Sequence, residues 1–233
     1  NFRAGPVDFV GNGSWSTYNA LQAEIRRRLS HGLYFQANYT YSKAYTDFEG
    51  SDANFSALLD LAQGGVVEKK RQTNDVTHIF KANGVWELPF GPGKRLFNFD
   101  GFLGHLFGGW QMNGILEKRT GRPISFISGR GTLNRSARSG KNTATTTLSV
   151  EELKNSIGTF FDPVTGRPLI LDPRLIGPDG RANPEFFGHP QPGTTGTLHL
   201  TPVSGPGFWN VDFSLIKRTR LSERTNIEFR AEF

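Results

Sequence analysis

The chain alternates between apolar and polar residues over long stretches. One such stretch is "GLYFQANYTYSKAYTDF" at residues 32–48. Its apolar set of alternate positions is Leu33, Phe35, Ala37, Tyr39 and Tyr41. The opposite set is Tyr34, Gln36, Asn38, Thr40 and Ser42. A period of two places these sets on opposite faces of a β-strand, so the stretch predicts a strand with one apolar face and one polar face.

The same alternation recurs in five further segments. They are residues 15–29, 77–90, 110–119, 208–218 and 225–233. Only Ile79 and Val85 break the pattern in the third of the six strands. Strands of soluble domains usually run for about five or six residues, whereas several of these keep their period for about ten. At about 3.3 Å per residue and a tilt near 40°, such strands cross a hydrocarbon layer of roughly 25 Å.

Aromatic and charged residues occupy particular places on the apolar face. All four tryptophans lie on it near strand ends: Trp15, Trp86, Trp110 and Trp209. The cations that interrupt it also lie near strand ends: Arg27, Lys43, Lys118 and Lys217. A cation costs about 2–4 kcal/mol at the bilayer midplane and almost nothing at the interface. We therefore expect the apolar face to contact lipid and the four tryptophans to be membrane-interface aromatics.

The polar faces would then line the lumen of a barrel. The lumen-facing candidates are Gln22, Glu24, Gln36, Asn38, Lys81, Asn83, Asp212, Glu228 and Arg230. We expect most of them to hydrogen-bond across strands, with ligand contacts confined to loop tips.

Short and long connections alternate between the predicted strands. The short ones are residues 30–32, 91–109 and 219–224, and the long ones are about 46–75 and 121–207. Outer-membrane barrels have short periplasmic turns and long extracellular loops. Within the second long loop, "SVEELKNS" (149–156) predicts a short helix, because Ser149 and Glu152 have the spacing of a capping box.

The predicted fold class is therefore all-β, an antiparallel transmembrane β-barrel portion. Six strands leave two open edges, whose unpaired backbone groups have no water to bind in lipid. We expect an incomplete barrel that belongs to a larger one.

Composition and motifs indicate no catalytic, cofactor or metal site. The 233 residues contain no cysteine, which excludes disulfides and thiolate metal sites. The net charge of +6 would suit nucleic acid or an acidic surface, but the basic runs at 25–30 and 68–72 are short, so we expect no nucleic-acid partner. Residues 47–52 lack the spacing of an EF-hand, and HExxH, GxSxG and P-loop motifs are absent. We expect that the chain is not an enzyme.

Four stretches together resemble the C-terminal barrel of TonB-dependent outer-membrane transporters of the Oar-like group. They are "YNALQAEIRRRLSHGLYFQANYTYSKA", "THIFKANGVWELPFGPGKR", "GGWQMNGILEKRTGRPIS" and "GPGFWNVDFSLIKRTRLSERTNIEFRAEF". The resemblance implies a barrel of about 22 strands around a plug domain. It also implies uptake of a scarce, bulky ligand with energy from the TonB complex.

On this resemblance, residues 1–233 are expected to be part of one barrel domain, a fragment without its plug domain and closing strands. The expected location is the outer membrane of a Gram-negative-type bacterium. The expected partners are outer-membrane lipid, the protein's own plug domain, the TonB complex and an unknown extracellular ligand. Two alternatives remain open from the sequence: a passive porin or adhesin barrel, and a soluble β-sandwich module that binds glycans.

Overall fold

The computed structural model describes most of the chain in two compact units. The described residues are 15–47, 59–60, 65–66, 69–94, 96–98, 101–130, 143–192, 194, 196–198, 202–220, 222 and 224–233. The sheet unit comprises Leu21–Tyr41, His78–Arg119 and Phe208–Phe233. The loop unit comprises Asn1–Ala20, Ser42–Thr77 and Thr120–Gly207.

Six long strands form one meandering sheet. They are β1 (Ser16–Ser30), β2 (Leu33–Thr46), β3 (His78–Glu87), β4 (Trp110–Arg119), β5 (Phe208–Arg220) and β6 (Asn226–Glu232). Each hydrogen-bonds to the next in sequence, and the pairings from β2 to β6 are antiparallel. The six predicted strands and the all-β antiparallel fold are thus confirmed. Within the described residues, β1 and β6 are the two ends of the strand order, so the sheet is open.

The predicted end of the third strand is wrong by three residues. We predicted a strand to Phe90, and β3 ends at Glu87. Pro89 explains the difference, because proline has no N–H to donate to a sheet ladder. Phe90 instead forms an isolated bridge with Phe97 in the following connection.

The register keeps the apolar and polar faces separate across the sheet. One apolar row of directly paired residues runs through Ala37, Ala82, Leu116 and Val211. The adjacent polar row runs through Asn38, Lys81, Glu117 and Asn210. Since a slip of one residue would exchange the two faces, the alternation read from each strand excludes alignments shifted by an odd number of residues.

The connection between β1 and β2 is a two-residue turn. His31 and Gly32 both have positive φ, 53° and 76°, as a type I′ hairpin turn requires. The carbonyl of Gly32 accepts a hydrogen bond from the Glu87 backbone N–H at 2.7 Å. The predicted short turn at 30–32 is therefore confirmed, and it also contacts the end of β3.

The connection between β3 and β4 holds a helix that the sequence analysis treated as a plain link. This helix, α1, spans Gly101–Phe107. Gly109 follows it at φ 73°, in the left-handed conformation that commonly ends helices. The Gly109 carbonyl then accepts the Arg218 backbone N–H at 2.9 Å, which ties the helix end to β5.

Replacing Gly109 with alanine should destabilise the sheet unit by more than the backbone cost alone. The left-handed conformation costs an L-residue roughly 1–2 kcal/mol, and a Cβ at Gly109 would also collide with the Arg218 carbonyl oxygen. Gly93→Ala is the matched control, since Gly93 has φ 71° and open space around its Cβ position. The urea midpoint of unfolding of the full-length protein in lipid vesicles measures the effect of each variant. Equal decreases of the midpoint in Gly109→Ala and Gly93→Ala would contradict the collision.

The loop unit is built from short elements. Its strands are Leu59–Asp60, Gly65–Val66, Lys70–Arg71, Pro123–Ile124, Thr145–Thr146, Ile157–Phe161, Pro168–Leu171, Phe187–Gly188 and Val203–Ser204. A second helix, α2, spans Val150–Asn155, and a 3₁₀ helix spans Pro173–Leu175. Lys70–Arg71 pairs with the end of β2. Val203 pairs with Ile124, which joins the two ends of the long segment between β4 and β5.

The predicted helix in the second long segment is confirmed, together with its cap. Ser149 is the N-cap of α2, and its hydroxyl accepts the Glu152 backbone N–H at 3.2 Å. The Glu152 carboxylate accepts the Ser149 backbone N–H at 2.8 Å. This reciprocal pair is the capping box.

The loop unit also has a small apolar core. Its buried members are Leu153, Leu175, Phe187, Leu198 and Val203. Phe126 packs against this core, with its ring stacked on that of Phe187 and the centroids 5.5 Å apart. The long segment is therefore a folded module, ordered by contacts between residues far apart in sequence. No helix among the described residues is both long and apolar enough to cross a membrane.

Candidate functional site

The polar face of the sheet carries a network of polar contacts, some between neighbouring strands and some within one strand. The amide of Gln36 donates to the Glu24 carboxylate at 3.1 Å, and Lys81 lies 3.7 Å from Glu117. Within β5, Asn210 donates to Asp212 at 3.0 Å. Six of the nine lumen-facing candidates take part in such contacts: Glu24, Gln36, Lys81, Asp212, Glu228 and Arg230. The other three, Gln22, Asn38 and Asn83, lie on the same set of alternate positions, and register pairs Asn38 with Lys81 and Asn83 with Gln36.

The last two strands hold the densest charge cluster on that face. Glu228 accepts from Arg218 Nε at 2.8 Å and from Arg230 Nη2 at 3.1 Å. Arg230 also lies 3.6 Å from Glu232. Exposed pairs of this kind contribute about 0–1 kcal/mol each, so their main effect is to orient the side chains.

Sequence reasoning left several members of this network out. The lumen-facing candidates did not include Arg218, Gln111, Asn113 or Ser214. Asn113 donates to Ser214 at 3.0 Å, and Gln111 donates to Asn113 at 2.7 Å. The alternation of β4 and β5 could have identified these residues, because they share a parity with Glu117 and Asp212. That this face lines a lumen stays a prediction.

The apolar face has an aromatic and cationic row near each end of its strands. At the ends that lead into the long segments, register aligns Tyr39, Phe80, Lys118 and Trp209. At the turn ends, Trp110 pairs with Lys217, whose ammonium lies 5.6 Å from the indole centroid. Trp209 and Lys217 are eight positions apart on β5, which is about 26 Å along a strand. A tilt of about 40° reduces this to about 20 Å, close to the apolar band of a membrane barrel.

Between those rows the apolar positions of the three central strands carry no charge. They are Ala82, Gly84 and Trp86 in β3, Met112, Gly114 and Leu116 in β4, and Val211, Phe213 and Leu215 in β5. Trp86 pairs with Met112, one row inside Trp110. Trp15 precedes β1 in the loop unit, where Lys69 Nζ lies 5.3 Å from its ring. The interface role of the four tryptophans stays a prediction.

The loop unit contains a buried polar cluster around Asp75. The Asp75 carboxylate accepts the Ala44 backbone N–H at 2.8 Å and the Arg71 Nε–H at 2.8 Å. The side chains of Arg71 and Asp75 are only 15% and 1% exposed. Arg71 also donates to Thr77 at 3.1 Å and to Ser204 at 2.8 Å. The Asp75 cluster thus joins the segment before β3 to the segment before β5.

A serine and a histidine meet in the same unit. The Ser128 hydroxyl and His189 Nδ1 are 2.7 Å apart, and Ser128 also accepts the Arg130 backbone N–H at 3.2 Å. A nucleophilic serine needs access to substrate and a base oriented by a third group. Ser128 is buried at 2% exposure, and no described carboxylate hydrogen-bonds to His189. The pair fastens residues 126–130 to the strand at Phe187–Gly188.

The acidic stretch at residues 47–52 lacks the spacing of a calcium-binding EF-hand loop. Residues 48–52 lie outside the described part of the chain, as do residues 131–142 of the second long segment. Among the residues that the structure describes, no group of three or more histidine, aspartate or glutamate side chains is arranged to hold a metal ion.

Asp172 gives the loop unit an expected dependence on acid. Hydrogen bonds from the Arg174 side chain lower the pKa of the Asp172 carboxyl. The hydrogen bond from the Arg174 backbone N–H and the positive charge of Arg174 act in the same direction. A lowered folded-state pKa contributes stability above the ordinary value of about 3.9, and this is lost as pH falls through the lowered pKa. Amide exchange of the peptide 172–176, corrected for intrinsic rates, should therefore increase on acidification. In Asp172→Asn, the amides of this peptide should exchange faster at neutral pH, and their exchange should increase less on acidification. An increase as large as that of the unchanged protein would contradict this role of Asp172.

Comparison with known proteins gives one match. The family model described as "Outer membrane beta barrel domain" matches residues 1–233, the whole chain. No curated protein and no solved structure matches.

Proposed function

The chain belongs to the outer membrane beta barrel domain family and is located in the outer membrane, and from this premise we propose that it is the barrel portion of a TonB-dependent receptor. In this proposal it takes up a bulky, scarce ligand from outside the cell. The resemblance of four successive strand-containing stretches to Oar-like transporters supports the finer assignment. Membership of this family disfavours the soluble β-sandwich alternative.

One observation carries the proposal beyond a generic barrel. The segment between β4 and β5 is a folded module whose core includes Leu153, Phe187 and Val203, and the Asp75 cluster fastens it to the segment before β3 through Arg71 and Ser204. Ordered outer loops suit the capture of a particular bulky ligand, since rigid elements hold binding groups in place. A pore for small solutes needs no such module.

The proposed roles follow from this arrangement. The polar face of β1–β6 lines the lumen and contacts the protein's own plug domain, and the apolar face contacts outer-membrane lipid. The TonB complex supplies energy through parts of the protein outside these 233 residues, and the ligand binds the loop unit. No nucleic-acid partner and no catalysis are part of the proposal.

A passive porin or adhesin barrel is equally compatible with the family match. Conductance of the full-length protein in planar bilayers in concentrated KCl distinguishes a porin from a plugged transporter. A plugged receptor should show no steady current, and reversible channels should appear only when urea unfolds the plug. Stable open channels in the folded protein would overturn the transporter proposal in favour of a porin.

A second experiment measures binding of the purified periplasmic domain of TonB to the full-length protein, which distinguishes a receptor from an adhesin. A closed barrel that binds TonB supports the receptor. A closed barrel that does not bind it overturns energy coupling and favours an adhesin.

A further inference from the structure

We propose that α1 docks on the phospholipids of the periplasmic leaflet of the outer membrane. The proposal rests on membership of the outer-membrane family and not on transport, because a porin and a receptor would both present this helix to the same leaflet. Short connections of outer-membrane barrels are periplasmic, and α1 lies in one of them, between β3 and β4.

The exposed surface of α1 is apolar. Its four large side chains are Phe102, Leu103, Leu106 and Phe107, with exposed fractions from 47% to 79%. His105 is the only residue of the helix with an ionisable side chain. Large apolar side chains exposed together in this way mark a protein or membrane contact. Short apolar elements rich in Phe and Leu suit the boundary between lipid head groups and acyl chains.

Two side chains fix α1 on the lipid-facing side of the sheet. Trp110 Nε1 donates to the Leu106 carbonyl at 3.2 Å. The Lys217 ammonium donates to the His105 carbonyl at 2.6 Å and also to the Gly108 carbonyl. Trp110 and Lys217 both belong to the apolar parity of their strands. The carboxyl end of the helix is therefore attached to the same face as Met112, Leu116 and Val211.

This attachment also shows what the lysine does. A lysine near the edge of the hydrocarbon layer must keep its charge in a polar environment. Here the carbonyls at the end of α1 provide part of that environment, where a cation also suits the helix dipole. The helix end and the Lys217–Trp110 pair thus occupy one level of the membrane, the turn-side row described above.

The position of α1 in the strand order argues against two other partners for its exposed surface, further barrel strands and a plug domain. Further strands would pair with the free edges at β1 and β6, whereas α1 connects β3 and β4 in the middle of the order. A plug would contact the polar face, which is opposite to Trp110 and Lys217. Lipid is the partner that remains continuous with the apolar band of the central strands.

A spin label at residue 102 tests the proposal directly. These 233 residues hold no cysteine, so Phe102→Cys introduces a unique thiol into the chain, at a side chain that is 79% exposed. The full-length protein is reconstituted in vesicles of phosphatidylethanolamine and phosphatidylglycerol. Relaxation by oxygen, which partitions into lipid, is compared with relaxation by a water-soluble nickel chelate, and protein without the added cysteine is the blank.

Lys94→Cys is the matched control in the same connection. Lys94 lies 3.3 Å from Glu87, whose parity is that of the polar face, so a label there should stay in water. We expect oxygen to dominate at residue 102 and the nickel chelate to dominate at residue 94. Nickel access equal to that at residue 94 would overturn the proposal. A label at residue 102 that is immobilised and shielded from both reagents would also overturn it, in favour of a protein partner.

A second variant tests whether the apolar surface of α1 determines the position of the label. Leu103→Asp should make a label at residue 102 more accessible to the nickel chelate, while the heat-induced shift in gel mobility reports that the barrel remains folded. An unchanged ratio of oxygen to nickel relaxation in the folded variant would count against lipid contact by α1. These results do not depend on the conductance measurement, because a porin and a receptor would both present α1 to the same leaflet.

Discussion

Replacing Phe213 with arginine is expected to lower the free energy of unfolding of the full-length protein in lipid vesicles by about 2–4 kcal/mol. Phe213 pairs with Gly114 in the row midway between the Trp209 and Lys217 ends of β5. A guanidinium there would be too far from either interface to reach water without deforming the bilayer. Urea unfolding monitored by tryptophan fluorescence gives the change.

Ile115→Arg is the matched control on the opposite face. Ile115 pairs directly with Asp212 and with Asn83, so an arginine there would meet a carboxylate on the predicted lumen face. We expect a change within about 0.5 kcal/mol, as is usual for exposed positions. Phe213→Leu corrects for the lost aromatic contacts. A large loss at residue 115 with little at residue 213 would show that the two faces have been assigned the wrong way round.

Replacing Asp75 with alanine is expected to destabilise the loop unit by about 3–5 kcal/mol, the cost of removing one partner of a buried ion pair. The Arg71 guanidinium, only 15% exposed, would lose its carboxylate, and the Ala44 backbone N–H would lose its acceptor. Pulse proteolysis across a urea series on the full-length protein measures the change. The first new cleavage sites should fall at residues 69–77 and 202–205.

Asp179→Ala is the control for the loss of a charge without the loss of a buried partner. Asp179 and Arg181 are 3.9 Å apart and both largely exposed, so the expected change is at most about 1 kcal/mol. The double variant Arg71→Met and Asp75→Ala should recover part of the loss, because it leaves no buried charge unpaired. A double variant as unstable as the sum of the two single variants would show that the pair does not act as a unit.

The strands could be predicted because the decisive interaction is local in sequence. A strand in a two-sided environment needs alternate side chains of opposite character, and this pattern can be read from a single stretch such as Leu33 to Tyr41. The capping box of Ser149 and Glu152 is local in the same sense, since its atoms are three residues apart. The alternation also excludes any register shifted by an odd number of residues, whereas the tertiary structure selects among the others the one that places Leu116 beside Ala82 and Val211.

The helix α1 was missed for a related reason. Seven residues carry too little periodic signal to separate a helix from an apolar link. What holds α1 in place is the contact of Lys217 with the carbonyls of His105 and Gly108, more than a hundred residues away in sequence. The glycine pair at 108–109 was the one available sign of a helix end.

By itself, therefore, the sequence determined the strands, their two faces and their antiparallel class, because each depends on neighbours within a few residues. The tertiary structure decided that the long segment folds around Leu153 and Val203, that Arg71 and Asp75 bury their charges together, and that α1 joins the apolar face. Each of these depends on residues brought together across long loops. Such contacts are set by loop closure and by burial of the whole module, and no short stretch of the chain records them.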